Sequence, residues 1–218
     1  MDLLSADASL RVEFRILCFA RLPCLSLAMA GRDFRFIRVR DKSVKETVLI
    51  IGGCRSGKSR YALELAKKTQ GDSRIFIATC VPKDKEMAER VARHKEEREK
   101  SWSTIEIPIH LPEAIIEYSR KSDLILVDCL TLWISNLILD NNDLDISEAT
   151  LRLTRSLKDA QCPVIMVSNE VGTGIVPEND LARLFRDAAG IVNQNVAACS
   201  DRVIWMVAGI PVPLRAKS

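Results

Sequence analysis

The sequence predicts an α/β fold in which a mostly parallel sheet carries helices on both of its faces. Short apolar runs rich in β-branched residues alternate along the chain with longer stretches of helical character, the pattern of a parallel sheet with crossover helices. The chain has 218 residues, of which 47% are hydrophobic, enough for one domain with a substantial buried core.

The predicted elements follow one another along most of the chain. Strands are predicted at Thr47–Ile51, Arg74–Ala78, Leu124–Asp128, Val164–Ser168 and Arg202–Val207, with a weaker one at Thr104–Ile107. Helices are predicted at Lys58–Lys68, Lys85–Lys100, Leu111–Arg120, Thr131–Leu139, Ile146–Asp159 and Asn179–Ser200. The polar stretch Asp140–Asp145 is predicted to be a loop within the domain and not a domain boundary.

The first 46 residues have a different character from the rest. They contain 9 of the 32 Lys and Arg residues and 6 of the 29 Asp and Glu residues, and their arginines follow no period of 2 or 3.6. The segment faintly resembles a secretory signal, but Arg21 and Pro23 interrupt the apolar stretch that such a signal needs. A translation start further along, for example at Met29, is an open alternative. We expect residues 1–46 to be a loosely ordered extension without chemistry and residues 47–218 to be the folded domain.

Charge and composition exclude several classes of function. From residue 47 onward the chain holds 23 basic and 23 acidic residues, which gives no electrostatic basis for binding nucleic acid or anionic lipid. Aromatic residues make up only 5%, too few for a surface that stacks single-stranded bases. No apolar run approaches the roughly 18–20 residues that cross a bilayer, so no membrane span is expected.

The cysteines and histidines argue against disulfides and metal centres. Seven cysteines are scattered without a C-x-x-C pair, which favours reduced thiols in a cytoplasmic protein over a disulfide framework or a zinc site. The two histidines, His94 and His110, are too few for a multi-histidine metal centre.

The strongest motif is a Walker A sequence between a predicted strand and a predicted helix. Gly52-x-x-x-x-Gly57-Lys58-Ser59 has the glycines, with Gly53, that let the backbone wrap around a phosphate chain. Lys58 would reach the β and γ phosphates, and the Ser59 hydroxyl would bind Mg²⁺. The alternative is a glycine-rich turn with a solvated lysine. The motif predicts a sheet of the P-loop NTPase type, with residues 47–218 as its nucleotide-binding catalytic domain.

A partner for the magnesium ion is expected at the end of a later strand. Leu124-Ile-Leu-Val-Asp128 places a carboxylate after four apolar residues, the Walker B arrangement. An aspartate at the end of a strand can also cap the next helix. The interpretation of Asp128 as a magnesium ligand therefore depends on the presence of the Walker A motif.

A charged stretch carries a histidine at a notable spacing. Residues 83–100 contain 13 charged side chains, and Arg90, His94 and Arg98 fall on one face of the predicted helix. The neighbouring arginines disfavour imidazolium, which would leave a ring nitrogen of His94 free to attack, while they hold nucleotide phosphates. A solvated helix face is the alternative.

These motifs resemble one family. The chain is similar to the bifunctional adenosylcobinamide kinase/adenosylcobinamide-phosphate guanylyltransferases of cobalamin assembly, over about residues 47–215. The matching segments, in order, are Gly52–Ser59, Ile77–Cys80, Arg93–Arg98, Asp128–Asn136, Ser168–Pro177, Phe185–Gly190, Asn193–Gln194 and Ala208–Pro211.

The resemblance implies two reactions. ATP or GTP phosphorylates the hydroxyl of adenosylcobinamide, and GMP from GTP is then transferred to that phosphate, giving adenosylcobinamide-GDP and pyrophosphate. In this family GMP passes through a covalent histidine intermediate, and the matching residue is His94. Mg²⁺ and Lys58 would stabilise the leaving pyrophosphate.

The resemblance also implies further nucleotide-binding residues. These are the loop residues Gly52, Gly53, Cys54, Arg55, Ser56, Gly57, Lys58 and Ser59, the segment Ala78, Thr79 and Cys80, the basic patch Lys95, Glu96, Glu97 and Arg98, and the acidic residues Glu106 and Asp128. Alternating Ile105 and Ile107 also fit a solvent-facing Glu106. For Asn169-Glu170 we favour a role in the site over local hydrogen bonds in a turn.

The resemblance also bears on oligomeric state, and two other functions are compatible with parts of the sequence. The family includes trimers, so the resemblance implies a homo-oligomer. The sequence departs from the family at Thr173, where methionine is expected, and this change is not expected to affect the reactions. A plain P-loop kinase would need no histidine nucleophile. A guanine-nucleotide switch would need Asn-Lys-x-Asp, which is absent from the sequence.

Overall fold

The computed structural model describes residues 45–81, 101–140 and 145–216. These residues all belong to one compact unit, Arg40–Ser218. The predicted helix Lys85–Lys100 and residues 1–44 of the predicted extension lie outside the described residues.

The unit is built on a sheet of seven strands in the order β3-β2-β4-β5-β1-β6-β7. Every strand pair is parallel except β6 with β7, which is antiparallel. The predicted fold class is therefore confirmed. The strands are β1 Thr47–Gly52, β2 Arg74–Ala78, β3 Trp102–Glu106, β4 Leu124–Asp128, β5 Val164–Asn169, β6 Arg202–Val207 and β7 Ile210–Arg215.

Five helices in the described residues cover the two faces of this sheet. α1 packs on one face, against buried residues of the central strands, and the other four pack on the opposite face. The helices are α1 Lys58–Lys67, α2 Leu111–Ser119, α3 Leu130–Asp140, α4 Ile146–Asp159 and α5 Asp180–Cys199.

The central strands are apolar on consecutive residues because both of their faces are covered. In β1, Leu49 packs with the four-helix side, whereas Val48 and Ile50 pack with the α1 side. In β4, Val127 and Leu126 divide in the same way. Two-sided burial explains why the sequence shows unbroken apolar runs and not alternation.

Side chains cap the beginnings of α4 and α5. The Asp145 carboxylate accepts from the amides of Ser147 and Glu148 at 2.7 and 3.3 Å, and the Asn179 amide oxygen accepts from Ala182 at 3.1 Å. α1 begins instead at Gly57, which provides no side-chain cap. The first-turn amides of α1 therefore have no side-chain acceptor at their N-cap.

The strand β7 was not predicted from the sequence, and β3 begins at Trp102, two residues before its predicted start. Proline cannot donate to a strand ladder, so a segment containing Pro211 and Pro213 lacks the usual signature of a strand. They alternate along β7, which lies at the edge of the sheet, so both ring nitrogens face the side that has no neighbouring strand. β3 begins at Trp102, because that residue pairs with Arg74 of β2.

Glu46 and Thr47 connect the start of β1 to neighbouring parts of the fold. The Glu46 carbonyl accepts from the Val164 amide at 2.9 Å, and the Glu46 carboxylate lies 3.5 Å from the Arg202 guanidinium in a half-buried ion pair. The Thr47 amide donates to the Asp201 carboxylate at 2.8 Å. Residues 46–47 thus tie β1 to the start of β5 and to the turn before β6.

Two truncated chains test this boundary. We expect a chain beginning at Ser43 to melt at the same temperature as the full chain. A chain beginning at Val48 loses the Glu46 ion pair and the hydrogen bonds made by the backbone of Glu46 and Thr47, which should lower its free energy of unfolding by about 2 kcal/mol. Thermal denaturation of the three proteins measures both effects. A Ser43 chain that fails to fold would show that the first 42 residues are needed.

Candidate active site

The phosphate loop, residues 52–59, joins the end of β1 to the start of α1 at the carboxyl edge of the sheet. Gly52 is required by close approach, since a Cβ there would lie 2.5 Å from the carbonyl oxygen of Met206. Gly57 has a φ of +92°, which favours glycine. Gly53 has open space around it, so its role in the motif is not dictated by packing.

Neighbouring strands hold the phosphate loop from both sides. The Glu170 amide, just after β5, donates to the Gly52 carbonyl at 2.9 Å. On the other side, the Gly209 amide donates to the Ser56 carbonyl at 3.1 Å. Gly209 belongs to the two-residue turn between β6 and β7, in which it and Ala208 both have positive φ. The turn thus supports the loop directly.

Lys58 is buried and bends back onto its own loop. Only 7% of the residue is exposed, and its Nζ donates to the Gly53 carbonyl at 2.6 Å and lies 3.4 Å from the Ser56 hydroxyl. Burial lowers the pKa of the Lys58 ammonium below its ordinary value. The pull of the Asp128 carboxylate opposes that shift, so this carboxylate acts electrostatically on the loop lysine.

Asp128 ends β4, two strand positions away from β1. It is half-buried, and the next residue, Cys129, is buried. Desolvation raises the pKa of the Cys129 thiol to about 11, so the thiol is protonated at neutral pH. Of these two neighbouring groups, Asp128 then supplies the negative charge near the loop.

The Ala78–Cys80 segment follows β2 and is held mainly through Thr79. This threonine is fully buried, and its amide donates to the Asp128 carbonyl at 3.2 Å. Its hydroxyl donates to the Cys129 carbonyl and accepts from the Cys129 amide, both at 2.8 Å. The Thr79 side chain therefore faces the protein interior and binds the end of β4.

Glu106 lies far from the phosphate loop. It ends the edge strand β3, and β3 is four strand positions from β1, which corresponds to roughly 19 Å at the usual strand spacing. The side chain is exposed and the residue pairs with Ala78 of β2. The structure therefore brings Asp128 near Lys58 but leaves Glu106 at the other end of the edge.

Asn169 and Glu170 make local hydrogen bonds. The Asn169 amide nitrogen donates to the Thr131 hydroxyl at 2.9 Å, and the Glu170 carboxylate accepts from the Gly172 amide at 2.6 Å. Asn169 also receives a bond on its carbonyl from buried Asn193 at 3.2 Å. These bonds fit the turn interpretation that the sequence analysis placed second, while the position at the carboxyl edge fits the first.

Some site candidates lie outside the described residues, and others were missed. His94, Lys95, Glu96, Glu97 and Arg98 all fall between positions 82 and 100. Asn136, Asn193 and Gly209 belong to motifs that the sequence analysis noted without assigning them a role. A polar residue inside a family motif was the available signal for Asn136 and Asn193. Within the described residues, no group of three or more His, Cys, Asp and Glu side chains could hold a metal ion.

Comparison with known proteins decides the family. The family described as cobinamide kinase / cobinamide phosphate guanyltransferase matches residues 48–214. The chain belongs to this family. The match covers all seven strands except Thr47, the first residue of β1, and Arg215, the last residue of β7. The kinase and guanylyltransferase of cobalamin biosynthesis expected from the motifs is thereby confirmed.

Individual relatives agree with the family. The bifunctional adenosylcobalamin biosynthesis protein CobP of Pseudomonas aeruginosa is 40% identical, over 77% of this chain and 96% of its own length. Protein CobU of Escherichia coli, with the same description, is 39% identical over 77% of this chain and 99% of its own length. The solved structure of flagellar accessory protein FlaH from Methanocaldococcus jannaschii is 13% identical, with a TM-score of 0.44, and covers 79% of each chain. This last likeness is too low to carry an argument.

The structure also bears on membrane insertion. Among the described residues, no helix is long and apolar enough to cross a bilayer.

Substitution of the loop lysine tests the assignment of this site. We expect Lys58→Ala to depress the kinase and guanylyltransferase rates together by about 10³-fold, because both would lose charge stabilisation at the same phosphates. Steady-state rates of the two reactions measure this. Lys68→Ala, an exposed lysine at the end of the same helix, is the matched control and should leave both rates unchanged. Normal kinase turnover in Lys58→Ala would contradict the assignment.

Proposed function

We propose that this chain phosphorylates adenosylcobinamide with ATP or GTP and then transfers GMP from GTP to the new phosphate through a covalent intermediate on His94. The observation that carries the proposal is the phosphate loop, with its buried Lys58, in a chain that belongs to this family. Residues 52–59 and the half-buried Asp128 supply a phosphate site at the carboxyl edge of the central strands.

In the kinase step the substrate hydroxyl attacks the γ phosphorus of the nucleotide, and the bond to the β–γ bridging oxygen breaks. The hydroxyl proton is lost to solvent or base, and the nucleoside diphosphate leaves. Lys58 now donates to the Gly53 carbonyl at 2.6 Å. A phosphate oxygen is a stronger, charged acceptor than this carbonyl, so we propose that Lys58 exchanges one partner for the other when nucleotide binds.

In the guanylyl step a ring nitrogen of His94 attacks the α phosphorus of GTP, and pyrophosphate leaves. An oxygen of adenosylcobinamide phosphate then attacks the same phosphorus, the P–N bond breaks, and the histidine is restored. The covalent intermediate divides one displacement into two. Lys58 would stabilise the charge of the departing pyrophosphate, which gives both reactions a common phosphate site.

The oxygen groups of the loop fit a magnesium ion. Mg²⁺ prefers hard oxygen ligands and is commonly held by one or two protein groups together with phosphate oxygens and water. The Ser59 hydroxyl follows Lys58 directly, and the Asp128 carboxylate is close enough to act on that lysine. We propose that Ser59 and Asp128 hold the ion, which would supply Lewis-acid stabilisation of the phosphates.

The other nucleotide contacts follow the edge of the sheet. We propose that the nucleotide extends from the phosphate loop toward Ala78–Cys80 and Glu106. A span of roughly 19 Å between β1 and β3 suits an extended nucleotide, with Glu106 reaching the end remote from the phosphates. Lys95, Glu96, Glu97 and Arg98 are proposed as further nucleotide contacts from the motif around His94.

A pair of labelling experiments tests the two reactions. Purified protein with adenosylcobinamide and γ-labelled GTP should give labelled adenosylcobinamide phosphate. With α-labelled GTP, label should appear in adenosylcobinamide-GDP and on the denatured protein. Absence of corrinoid labelling in both reactions would contradict the proposed function. Corrinoid labelling by the γ phosphate alone would favour a plain kinase.

We also propose that the protein works in the cytoplasm. Within the described residues, Cys54, Cys80, Cys129, Cys162 and Cys199 are thiols that form no disulfide with one another, as expected in a reducing compartment. Cell fractionation measures this directly.

An apolar surface supports association of several copies. Trp205, Val207, Ile210, Val212 and Leu214 are between 38% and 64% exposed. Trp205 pairs with Val212 and Val207 with Ile210, so these side chains share one face of the β6–β7 hairpin. We call these five residues the hairpin stripe. The stripe is the kind of exposed apolar patch that marks an interface, and the prolines of β7 disfavour pairing through the strand edge.

Substitution at the hairpin stripe tests the oligomer, which we expect to be a trimer. Trp205→Asp places a charge in the proposed interface and should reduce the mass in sedimentation from three chains to one. Leu151→Asp, at an exposed leucine on α4, is the control and should leave the mass unchanged. A native protein that sediments as a single chain would contradict the proposal.

Replacement of the nucleophile separates the two activities. His94→Ala should abolish guanylyl transfer and protein labelling, because alanine offers no nitrogen for the covalent step, while phosphoryl transfer is largely kept. The labelled bond in the native protein should be acid-labile and alkali-stable. His110→Ala is the control, since His110 is an exposed residue at the start of α2. Full GMP labelling of His94→Ala would contradict the assignment.

A further inference from the structure

One side chain joins the two chain segments that leave β2 and β3. The Nδ2 atom of Asn136, on α3, donates to the Thr79 carbonyl at 2.7 Å and to the Pro108 carbonyl at 3.1 Å. The backbone ladder between the two strands reaches Ala78 and Ile107, whose amide donates to the Ala78 carbonyl at 2.8 Å. Asn136 therefore continues the connection one residue beyond the sheet.

An asparagine suits this place for a specific chemical reason. A primary amide nitrogen carries two N–H donors, and here each of them has a carbonyl acceptor. A hydroxyl carries one donor and an ionised carboxylate carries none. Pro108 has no amide N–H of its own, so a side chain is well placed to tie this segment to its neighbour.

The Thr79 peptide is also fixed from the opposite side. Its amide donates to the Asp128 carbonyl, and its hydroxyl is shared with the backbone of Cys129. Thr79 therefore connects the strand end that carries Asp128 to Asn136, and through Asn136 to Pro108. The ends of β4, β2 and β3 are joined in one hydrogen-bonded row.

A second donor on the same helix strengthens the anchor. The Trp133 indole Nε1, one turn before Asn136, donates to the Ile109 carbonyl at 2.7 Å. Trp133 is 1% exposed and belongs to the buried core, so the beginning of α3 cannot shift without disturbing that core. The position of the Asn136 amide is thus set by core packing.

We propose that Asn136 is a positioning residue that holds the Thr79 peptide and the segment after Glu106 at the separation that a bound nucleotide requires. The inference rests on the proposed function, in which Ala78–Cys80 and Glu106 contact the nucleotide. Asn136 itself donates only to protein carbonyls. It acts by keeping two binding segments in register before the nucleotide arrives.

This role predicts a particular kinetic signature. When the tie is lost, part of the binding free energy of GTP goes into bringing the two segments together. That cost falls on the bound substrate and on the transition state alike, because the chemistry takes place at the phosphates. The KM for GTP should therefore rise while kcat changes little.

Asn136→Asp is the decisive variant, since it has the same shape without the N–H donors. We expect it to raise the KM for GTP about tenfold with less than a threefold change in kcat, the size expected from losing one or two hydrogen bonds. Asn136→Gln retains two donors on one nitrogen and should recover most of this loss. Asn195→Asp is the matched control, because the exposed Asn195 amide also donates to a carbonyl, that of Ile191 at 2.9 Å. It should keep the native KM.

Thermal unfolding of each variant accompanies the kinetics. If Asn136→Asp lacks a cooperative transition, Asn136→Leu replaces it, since leucine has a similar size with no donor and no charge, and the same rise in KM is expected. A native KM in every folded Asn136 variant would overturn the inference, as would a fall in kcat at unchanged KM. An inactive native chain would overturn the proposed function and this inference together, whereas an active native chain with unaffected variants would overturn the inference alone.

Discussion

The arrangement of the site depends on the close packing of the phosphate loop against the ends of β5 and β6. The carbonyl of Met206 leaves no room for a side chain at Gly52, and amides from the ends of β5 and β6 hold the Gly52 and Ser56 carbonyls. Backbone groups that are fixed in this way cannot reorganise when charge develops, which is the condition for electrostatic stabilisation of phosphate chemistry. The loop is therefore a property of three strands and not of the motif alone.

Polar contacts extend this constraint across the whole carboxyl edge. The row begins at the β6–β7 turn and continues through the ends of β1, β5, β4, β2 and β3 without leaving the described residues. In order, Gly209 is hydrogen-bonded to Ser56, Gly52 to Glu170, Asn169 to Thr131, Thr131 to Cys129, Cys129 to Thr79, and Thr79 through Asn136 to Pro108. The phosphate loop itself joins Ser56 to Gly52, and a peptide bond joins Glu170 to Asn169. Since the Asn193 side chain of α5 donates to the Asn169 carbonyl at 3.2 Å, the row is anchored to a helix behind the sheet.

Such a row fits an enzyme that carries out two reactions with one kind of substrate. Phosphoryl and guanylyl transfer attack different phosphorus atoms of a nucleoside triphosphate, yet both need the same phosphates and the remote end of the nucleotide to be fixed. In the proposed function the buried Lys58 would serve both reactions, because a cation in a site of low dielectric interacts strongly with phosphate charge. Its lowered pKa is the cost of that burial, and the Asp128 carboxylate offsets part of it.

The sequence by itself determined the fold class, the phosphate loop and the family. Strands buried on both faces leave unbroken apolar runs in the sequence. The pattern of Gly52–Ser59 between a strand and a helix is specific for a phosphate-binding loop. Tertiary structure decided what local patterns cannot encode. β7 can form because an edge strand tolerates Pro211 and Pro213. Glu106 lies far from Lys58 because the strand order places three strands between β3, which ends at Glu106, and β1, which leads to Lys58, and that order is invisible in the sequence. The role of Asn136 likewise emerged only in the fold, since its two acceptors lie 57 and 28 residues away along the chain and hydrogen bonds form between neighbours in space.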